Sequence, residues 1–383
     1  MIITEEGMEK YIKIGIECES IEGKNPMWGV GRIITKLLKE LSRRPELDKK
    51  FRFVLYFKDK IPDFNFLNSP IFIKKKLSVP FFKGKLFPVY YLILLPIKLW
   101  FERLNLMFWP AYMLPLGTFT KSLAIMTEDV YYESFKGSLP FKYRFFYMLF
   151  GTYSAKHSTK LLAISETSKN NIAKLYKINP DRISTVYLGV DLQKKMETKN
   201  TNQPYVLCVG QAFPRRHLKE TMLAFEMIST EFPDLRFIAI GPDKYKKPTI
   251  KSLAVEINTR LGREAIIHKD YVGDGELAEL YAGAKALLYV SDREAFGLPP
   301  MEALSFGVPP IIADNKLGHE LFGDYAFYAK SGEVDDIVKA IKDVLTNSEK
   351  IEKIKHSGPD FVKQYSWKLF ADRWLEIIKN ETV

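Results

Sequence analysis

Residues 286–307 read Ala286-Leu-Leu-Tyr-Val-Ser291-Asp-Arg-Glu294-Ala-Phe-Gly297-Leu-Pro-Pro-Met-Glu302-Ala-Leu-Ser-Phe-Gly307. The first five are apolar without alternation, the pattern of a strand buried on both faces of a parallel sheet. The strand ends at Ser291, and two glutamates follow, Glu294 and Glu302, eight positions apart. Glu294 falls in the loop. Glu302 falls in the first turns of a helix whose start is marked by Pro299-Pro300. Gly297, between them, lets the backbone approach a ligand. A helix N-terminus offers unpaired N–H groups to an anion, and carboxylates beside it can accept hydrogen bonds from sugar hydroxyls. A single glutamate there is usually a cap or a solvent-facing charge, but capping does not account for the whole string.

The same strand–loop–helix pattern extends in both directions. Downstream of residue 204, strands are expected at 205–209, 236–240, 265–268, 286–290 and 308–313. Helices are expected at about 217–230, 250–261, 275–284, 300–306 and 334–345. Ser366 is placed to cap a last helix reaching Lys379. In the first half, apolar runs lie at 12–18, 51–57, 106–109, 122–126, 160–164 and 184–188. Ile33, Ile34, Leu37, Leu38 and Leu41 are spaced as one helix face, and Ser165 is placed as the N-cap of a helix through Tyr176. Residues 191–204 (DLQKKMETKNTNQP) are polar and aperiodic, as a linker would be. The pattern implies two doubly wound α/β domains, 1–190 and 205–365, joined by the linker 191–204. A C-terminal helix over 366–383 is expected to return to the first domain. Open parallel sheets bind ligands beyond the carboxyl ends of their strands. Gly210, Gly241, the 291–294 loop and Glu128-Asp129 all stand at such ends.

The chain has 383 residues, 46% hydrophobic and 27% charged, which suits two globular domains. Its net charge of +11 fits a nucleic acid, an anionic membrane or a phosphorylated substrate, and equally a lysine excess that serves solubility. Dispersed basic residues and no nucleic-acid module argue against the first. The two cysteines, Cys18 and Cys208, lie in apolar strand-like runs and read as reduced core thiols. The longest apolar run, 86–97, is short of the about 20 residues of a membrane span. The first ten residues carry three glutamates and no signal-peptide pattern, so a cytoplasmic location is expected. A basic, aromatic stretch from Lys74 through Phe87, followed by apolar residues 89–95, leaves two readings open. One is a core helix flanked by solvated lysines. The other is peripheral contact with the inner face of a membrane bearing a lipid-linked acceptor.

The 291–307 string resembles the E-x7-E signature of family 4 retaining glycosyltransferases, which have the GT-B fold. Gly210-Gln-Ala-Phe-Pro-Arg215-Arg216-His217-Leu218 resembles that family's G-x-x-x-P-R-K-N segment. Leu188-Gly-Val-Asp191 resembles its N-G-V-D, Ser165-Glu-Thr-Ser168 its S-E-x-S, and Gly29-Val-Gly31-Arg32 the glycine loop after its first strand. The resemblance implies two facing Rossmann-like domains with a cleft between them. It implies that Glu302 holds the ribose of a nucleotide sugar and that Glu294 faces hydroxyls of the transferred sugar. Backbone N–H groups of Phe296, Gly297 and Leu298 would meet the donor, alongside Gly210. Arg215 and Arg216 sit just past a strand end; guanidinium groups there suit a diphosphate on which charge builds as the glycosidic bond breaks.

Gly29, Gly31 and Arg32 lack the third glycine of a dinucleotide fingerprint, since Ile34 stands there, and lie eleven residues past their strand. They read either as a loop approaching the diphosphate or acceptor, or as a plain turn into the helix. Two departures from the family stand out. Glu128-Asp129 replaces the usual His-Asp, with Glu128 able to accept from a sugar hydroxyl, and Ala295 replaces a usual glycine. Gln211 stands where some members carry an arginine, which shifts the diphosphate load to Arg32, Arg215 and Arg216. No Asp-x-Asp occurs, and the five histidines show no metal-ligand spacing, so a metal-independent enzyme without a cofactor is expected. The expected activity is retaining transfer of a hexose-type sugar from a nucleotide-diphosphate sugar to a glycan or lipid-linked acceptor in cell-surface polysaccharide or glycolipid synthesis. The competing expectation is a nucleotide-sugar-binding protein that has lost transfer.

Overall fold

A computed structural model describes residues 11–23, 29–77, 90–136, 140–192 and 203–382. The expected linker lies mostly outside the described residues, as do residues 1–10 and the 78–89 part of the basic, aromatic stretch. The chain forms two compact units: residues 1–189 with 367–383, and residues 190–366.

The first unit is built on a parallel sheet of seven strands. In chain order they are β1 (Ile12–Glu17), β2 (Phe51–Phe57), β3 (Phe72–Lys76), β4 (Leu106–Trp109), β5 (Ser122–Ile125), β6 (Lys160–Ala163) and β7 (Ile183–Thr185). Their spatial order, β3-β2-β1-β4-β5-β6-β7, reverses between β1 and β4. Every pairing is parallel, with Ile14 opposite Phe53 on one side and Leu106 on the other. The strands read as apolar runs because helices cover both faces: Phe53, Leu55, Phe57 and Phe108 are fully buried.

The helices of this unit are α1 (Val30–Ser42), α2 (Leu95–Phe101), α3 (Glu128–Lys136), α4 (Phe141–His157) and α5 (Glu166–Tyr176). The C-terminal segment (Trp367–Thr382) is also helical and belongs to this unit. Its Trp374 packs edge-on against Phe108, ring centroids 5.2 Å apart, and Arg44 pairs with its Asp372 at 2.6 Å.

The second unit has six parallel strands: β8 (Tyr205–Val209), β9 (Arg236–Ile240), β10 (Ile266–Lys269), β11 (Ala286–Tyr289), β12 (Pro310–Ala313) and β13 (Phe327–Ala329). Their order is β10-β9-β8-β11-β12-β13, so the reversal falls between β8 and β11. Among the described residues, seven helices alternate with or follow them: α6 (Leu218–Ile228), α7 (Ile250–Leu261), α8 (Asp274–Gly283), α9 (Leu298–Ser305), α10 (Lys316–Phe322), α11 (Val334–Thr346) and α12 (Ser348–Val362). The C-terminal helix of the first unit is α13. In an open sheet of this type, the crevice at the reversal point, past the carboxyl ends, is where ligands bind. Here that crevice lies between the loops after β8 and β11.

Candidate active site

Two loops meet at that point. After β8 the chain turns through Gly210, whose φ is +123°, and then through a 3-10 turn, Pro214–Arg216. Gly241 (φ +138°), after β9, lies so close that a Cβ on it would come within 2.1 Å of the Gly210 carbonyl oxygen. The two strand-end loops can approach this closely only because Gly241 bears no side chain. After β11 comes Ser291, which is buried. The Asp292 N–H donates to the Arg215 carbonyl at 2.9 Å, lacing the β11 loop to the β8 loop. His217, with a left-handed φ of +47°, adds a side-chain tie: its ring nitrogens lie 2.8 Å from Asp292 and 3.7 Å from Glu220. The Glu220 carboxylate, opposed by burial and reinforced by Asp292, raises the His217 pKa above its usual value.

The lacing places Arg216 against Glu294. Arg216 Nε donates to Glu294 Oε1 at 2.8 Å and Nη2 to Oε2 at 3.4 Å, a forked pair between side chains that are 18% and 17% exposed. Its Nη1 donates to the Gln211 carbonyl at 3.0 Å. The guanidinium also lies over the Tyr289 ring, 5.0 Å from the centroid. Burial works against its charge, but Tyr289 and Glu294 beside it outweigh that and push its pKa above the usual value. Ser291 Oγ lies 3.1 Å from Glu294 Oε1 and can donate to it. Gly210 matters a second time: a Cβ there would meet Arg216 Nη1 at 2.6 Å. Glu294 is thus held from two sides, and Arg216 keeps N–H groups on Nη1 and Nη2 beyond the bonds just described.

The neighbouring residues divide differently. Arg215, next in sequence, stacks on Phe213 at 4.6 Å and reaches the Arg293 carbonyl at 3.3 Å, outside the Arg216–Glu294 pair. Gly297 (φ +91°) is the N-cap of α9, which opens on Leu298 with Pro299 and Pro300. Glu294, Phe296 and Gly297 line a small cavity with Gly318 and Phe322 of α10 and with Asn315 just before that helix. Asn315 caps that helix, accepting from the Gly318 N–H at 2.9 Å. Glu302, one turn into α9, accepts from Tyr281 Oη at 3.0 Å. Ser291 and Asn315 were not singled out from the sequence. Asn315, three residues before Gly318, carries a readable capping signal, but nothing in the sequence shows that the cap opens on this cavity. A larger cavity of about 470 Å³ in the same unit is lined by Pro204, Phe232, Leu235 and Lys285, at or next to the starting ends of β8, β9 and β11. That is the end opposite the one where parallel sheets bind ligands, and none of the expected site residues lines it.

In the first unit the expected residues are dispersed. Glu128 opens α3, is only 4% exposed, and accepts from Ser168 Oγ and from Asn171 Nδ2 (3.2 Å) on α5. The Ser165-Glu-Thr-Ser168 motif therefore has a local task. Ser165 caps α5 by accepting from the Ser168 N–H at 3.0 Å, and Ser168 anchors Glu128. Asp129 beside it is half-buried. Gly29 is the exposed N-cap of α1, at φ +52°; Gly31 is buried and Arg32 half-buried in the first turn.

One cluster in this unit has no counterpart in the sequence reading. Glu17, at the carboxyl end of β1, is 5% exposed and accepts from the Glu19 N–H at 2.6 Å. Glu19 pairs with Lys58 at 2.8 Å and accepts from Tyr91 Oη at 2.8 Å, while Glu22 accepts from the N–H groups of Lys58, Asp59 and Lys60. Burial, reinforced by the Glu19 charge, pushes the Glu17 pKa up to about 8.

Known proteins resemble this chain in two ways. The family described as glycosyl transferases group 1 matches residues 189–361. The O-antigen chain mannosyltransferase RfbU of Salmonella typhimurium is 27% identical over 228 residues, 58% of this chain and 61% of that protein. The O-antigen chain mannosyltransferase B of Escherichia coli is 30% identical over 235 residues, with the same two shares. The chain thus spans about three-fifths of the length of these two relatives. Among solved structures, Anabaena HepE in complex with UDP-glucose superposes with a TM-score of 0.72 at 14% identity, covering 97% of this chain and all of that one. At that identity the likeness establishes the fold: two Rossmann-like parallel-sheet domains of the GT-B class.

Proposed function

We propose, from the match of residues 189–361 to the family described as glycosyl transferases group 1, that this chain moves a hexose-type sugar from a nucleotide-diphosphate sugar to a glycan or lipid-linked acceptor with retention at the anomeric carbon. The observation that carries this reading is the Arg216–Glu294 pair at the β8/β11 reversal point. It puts a cation for a diphosphate beside an acceptor for sugar hydroxyls. Glu294 is assigned to the transferred sugar, Glu302 to the ribose, and the N–H groups of Phe296, Gly297 and Leu298 to the donor. Arg216, supported by Arg215, takes up charge as the bond from the anomeric carbon to the diphosphate oxygen breaks. The acceptor hydroxyl forms its new bond on the same face, and its proton passes to the departing diphosphate oxygen. No protein carboxylate is required as nucleophile, in contrast to a retaining glycosidase. Neutralisation by arginine makes a metal unnecessary. The O-antigen mannosyltransferases among the relatives support a role in cell-surface polysaccharide synthesis. The expected setting is cytoplasmic, with peripheral contact at the inner face of the membrane.

A panel of nucleotide sugars, screened by thermal shift and by hydrolysis, identifies the donor. NMR of the product then gives the anomer, and an inverted product overturns the mechanism. Complete loss of transfer in EDTA, rescued by manganese, overturns the metal-free assignment. The second reading, a nucleotide-sugar-binding protein without transfer, draws on Glu128. It stands where the family usually has histidine and is buried against Ser168 and Asn171. A donor that binds but is neither hydrolysed nor transferred would select that reading.

A further inference from the structure

Each of the two glutamates assigned to the donor accepts a hydrogen bond from a buried tyrosine. Glu302 accepts from Tyr281 Oη of α8 at 3.0 Å. Glu294 accepts from the hydroxyl of Tyr289, the last residue of β11. Packing alone asks only for an apolar side chain there: Leu287, two positions earlier on the same face of the sheet, is buried in the same core cluster. A buried hydroxyl costs stability unless it is bonded, so the Tyr289 Oη is accounted for by its partner and not by the core.

Tyr289 differs from Tyr281 in a second contact. Its ring lies under the Arg216 guanidinium, 5.0 Å from centroid to cation. Gly210 flanks this stack, since a Cβ there would meet Tyr289 Cε2 at 3.8 Å as well as Arg216 Nη1. One residue therefore touches both members of the pair, the ring against the cation and the hydroxyl against the carboxylate. The consequence follows when a diphosphate arrives. Arg216 holds Glu294 through Nε and Nη2, and a diphosphate competes for the same guanidinium. The Tyr289 hydroxyl is fixed by a ring set in the core, so it stays with Glu294 while Arg216 shares its charge. The ring in turn keeps the guanidinium over the strand end.

We propose that Tyr289 is a positioning residue for transfer: its hydroxyl holds Glu294 toward the transferred sugar and its ring holds Arg216 toward the diphosphate. Both groups then keep their places when the donor comes between their charges. This deepens the donor assignment of Arg216 and Glu294 made above and rests on it.

Two substitutions in the full chain separate the two contacts. Tyr289→Phe removes the hydroxyl and keeps the ring; Tyr289→Leu removes both. Calorimetric titration with UDP, GDP, uridine and guanosine reads binding, and hydrolysis of the nucleotide sugar that the panel selects reads turnover. Y289F should lower kcat roughly tenfold or more, the scale of a lost hydrogen bond to a charge, and leave UDP and GDP affinity unchanged. Y289L should lower kcat at least as far and also weaken UDP or GDP about fivefold, with nucleoside affinity unchanged. A tyrosine that only filled the core would lower the melting temperature of both variants without this split. Action through a neighbour also predicts non-additivity: Y289F should add nothing to the turnover lost in E294Q, and Y289L nothing to the UDP or GDP affinity lost in R216A. Should Y289L fail to fold, Y289F and its combination with E294Q decide alone. Wild-type kcat in Y289F, additive losses in the double variants, or wild-type diphosphate affinity in Y289L overturns the proposal. So does the same loss of kcat without loss of affinity in Y281F, since deleting any buried hydroxyl of this unit would then suffice. Wild type that binds UDP or GDP but turns over no donor overturns the transferase reading instead, and Tyr289 is then decided by the affinity of Y289L, alone and combined with R216A.

Discussion

The two units set chemistry beside their strand ends in opposite ways. In the second, Arg216 and Glu294 face each other directly, each in a short motif that follows a strand. In the first, Glu128 is turned inward to anchor one helix to another, and the most perturbed carboxylate is Glu17, under a cluster fed from three separate segments. The contrast teaches that a strand-end carboxylate is not by itself a ligand group; what its oxygens already hold decides. Glu294 is held by the same guanidinium that is proposed to meet a diphosphate, so on that proposal its partner belongs to the site. The partners of Glu128 are part of the packing.

The largest effect that would break this comparison lies at the Arg216–Glu294 pair. Arg216→Ala and Glu294→Gln should each lower turnover by about 10²–10³-fold, the scale of losing one preorganised charge at a transition state. They should differ in binding. Arg216→Ala weakens nucleoside diphosphate more than nucleoside, whereas Glu294→Gln leaves nucleotide affinity within a few-fold. Kinetics with the identified donor, together with calorimetry, check both. If turnover is unchanged in both variants, the pair is structural and the two units are alike.

The legible parts and the missed parts of the sequence divide along the same line. Phe51–Phe57, Tyr205–Val209 and Arg236–Ile240 are strands with the bounds expected, because continuous apolar runs bounded by polar residues have one solution in a covered sheet. Arg216 and Glu294 are readable as candidate site residues because each follows such a run within a few positions. Their mutual pairing is not readable: it depends on the β11 loop being laced to a carbonyl 77 positions earlier, Asp292 to Arg215. Helix α12 escapes a periodicity reading because few of its residues are apolar and it carries Gly358-Pro359 inside it. Helix α4 escapes for the reverse reason, since its apolar residues run round the whole helix, with Phe150 buried and Phe141 81% exposed. The Glu17 cluster is invisible in one dimension, because its members come from β1, the turn after β2 and the segment before α2.

A smaller effect separates two roles within the second unit. Glu302→Ala should weaken UDP or GDP binding by about 1–3 kcal/mol, the scale for losing a charged hydrogen bond, with Tyr281 left without its acceptor on α9. Calorimetric titration decides; wild-type affinity in the variant would remove the ribose assignment and leave Glu302 as a tie between α8 and α9.

In the first unit the comparison is sharpened by pH. The Glu17 pKa is raised by burial from its unfolded value of 4.5 to about 8. The folded state therefore binds a proton that the unfolded state has released. Its stabilising contribution is complete below the unfolded pKa and is lost as pH rises through the folded one. Between pH 6 and 7 the slope from this group approaches −1.4 kcal/mol per pH unit. Glu17→Gln keeps the shape without the proton, so its melting temperature should fall less over that range than that of wild type. Parallel curves for the two proteins would show that Glu17 is ionised in the folded state.

The smallest effect belongs to Glu128, and it tests the contrast most directly. The glutamine in Glu128→Gln can still accept from Ser168 Oγ, and Asn171 can turn its amide to suit, so only the charge assistance is lost. The expected cost is about 1 kcal/mol of stability, read by chemical denaturation. Because both carboxylate oxygens serve α5, the rate should fall far less than in Glu294→Gln. Ser168→Ala supplies the second arm: it removes the anchor but leaves the Glu128 carboxylate. If Glu128 only packs, Ser168→Ala and Glu128→Gln should lower stability together and touch turnover little. If Glu128 instead receives a sugar hydroxyl, as the histidine usual in the family implies, Glu128→Gln should approach Glu294→Gln in rate while Ser168→Ala does not. That split would move the position back into the site and make the two units alike in function despite their different packing.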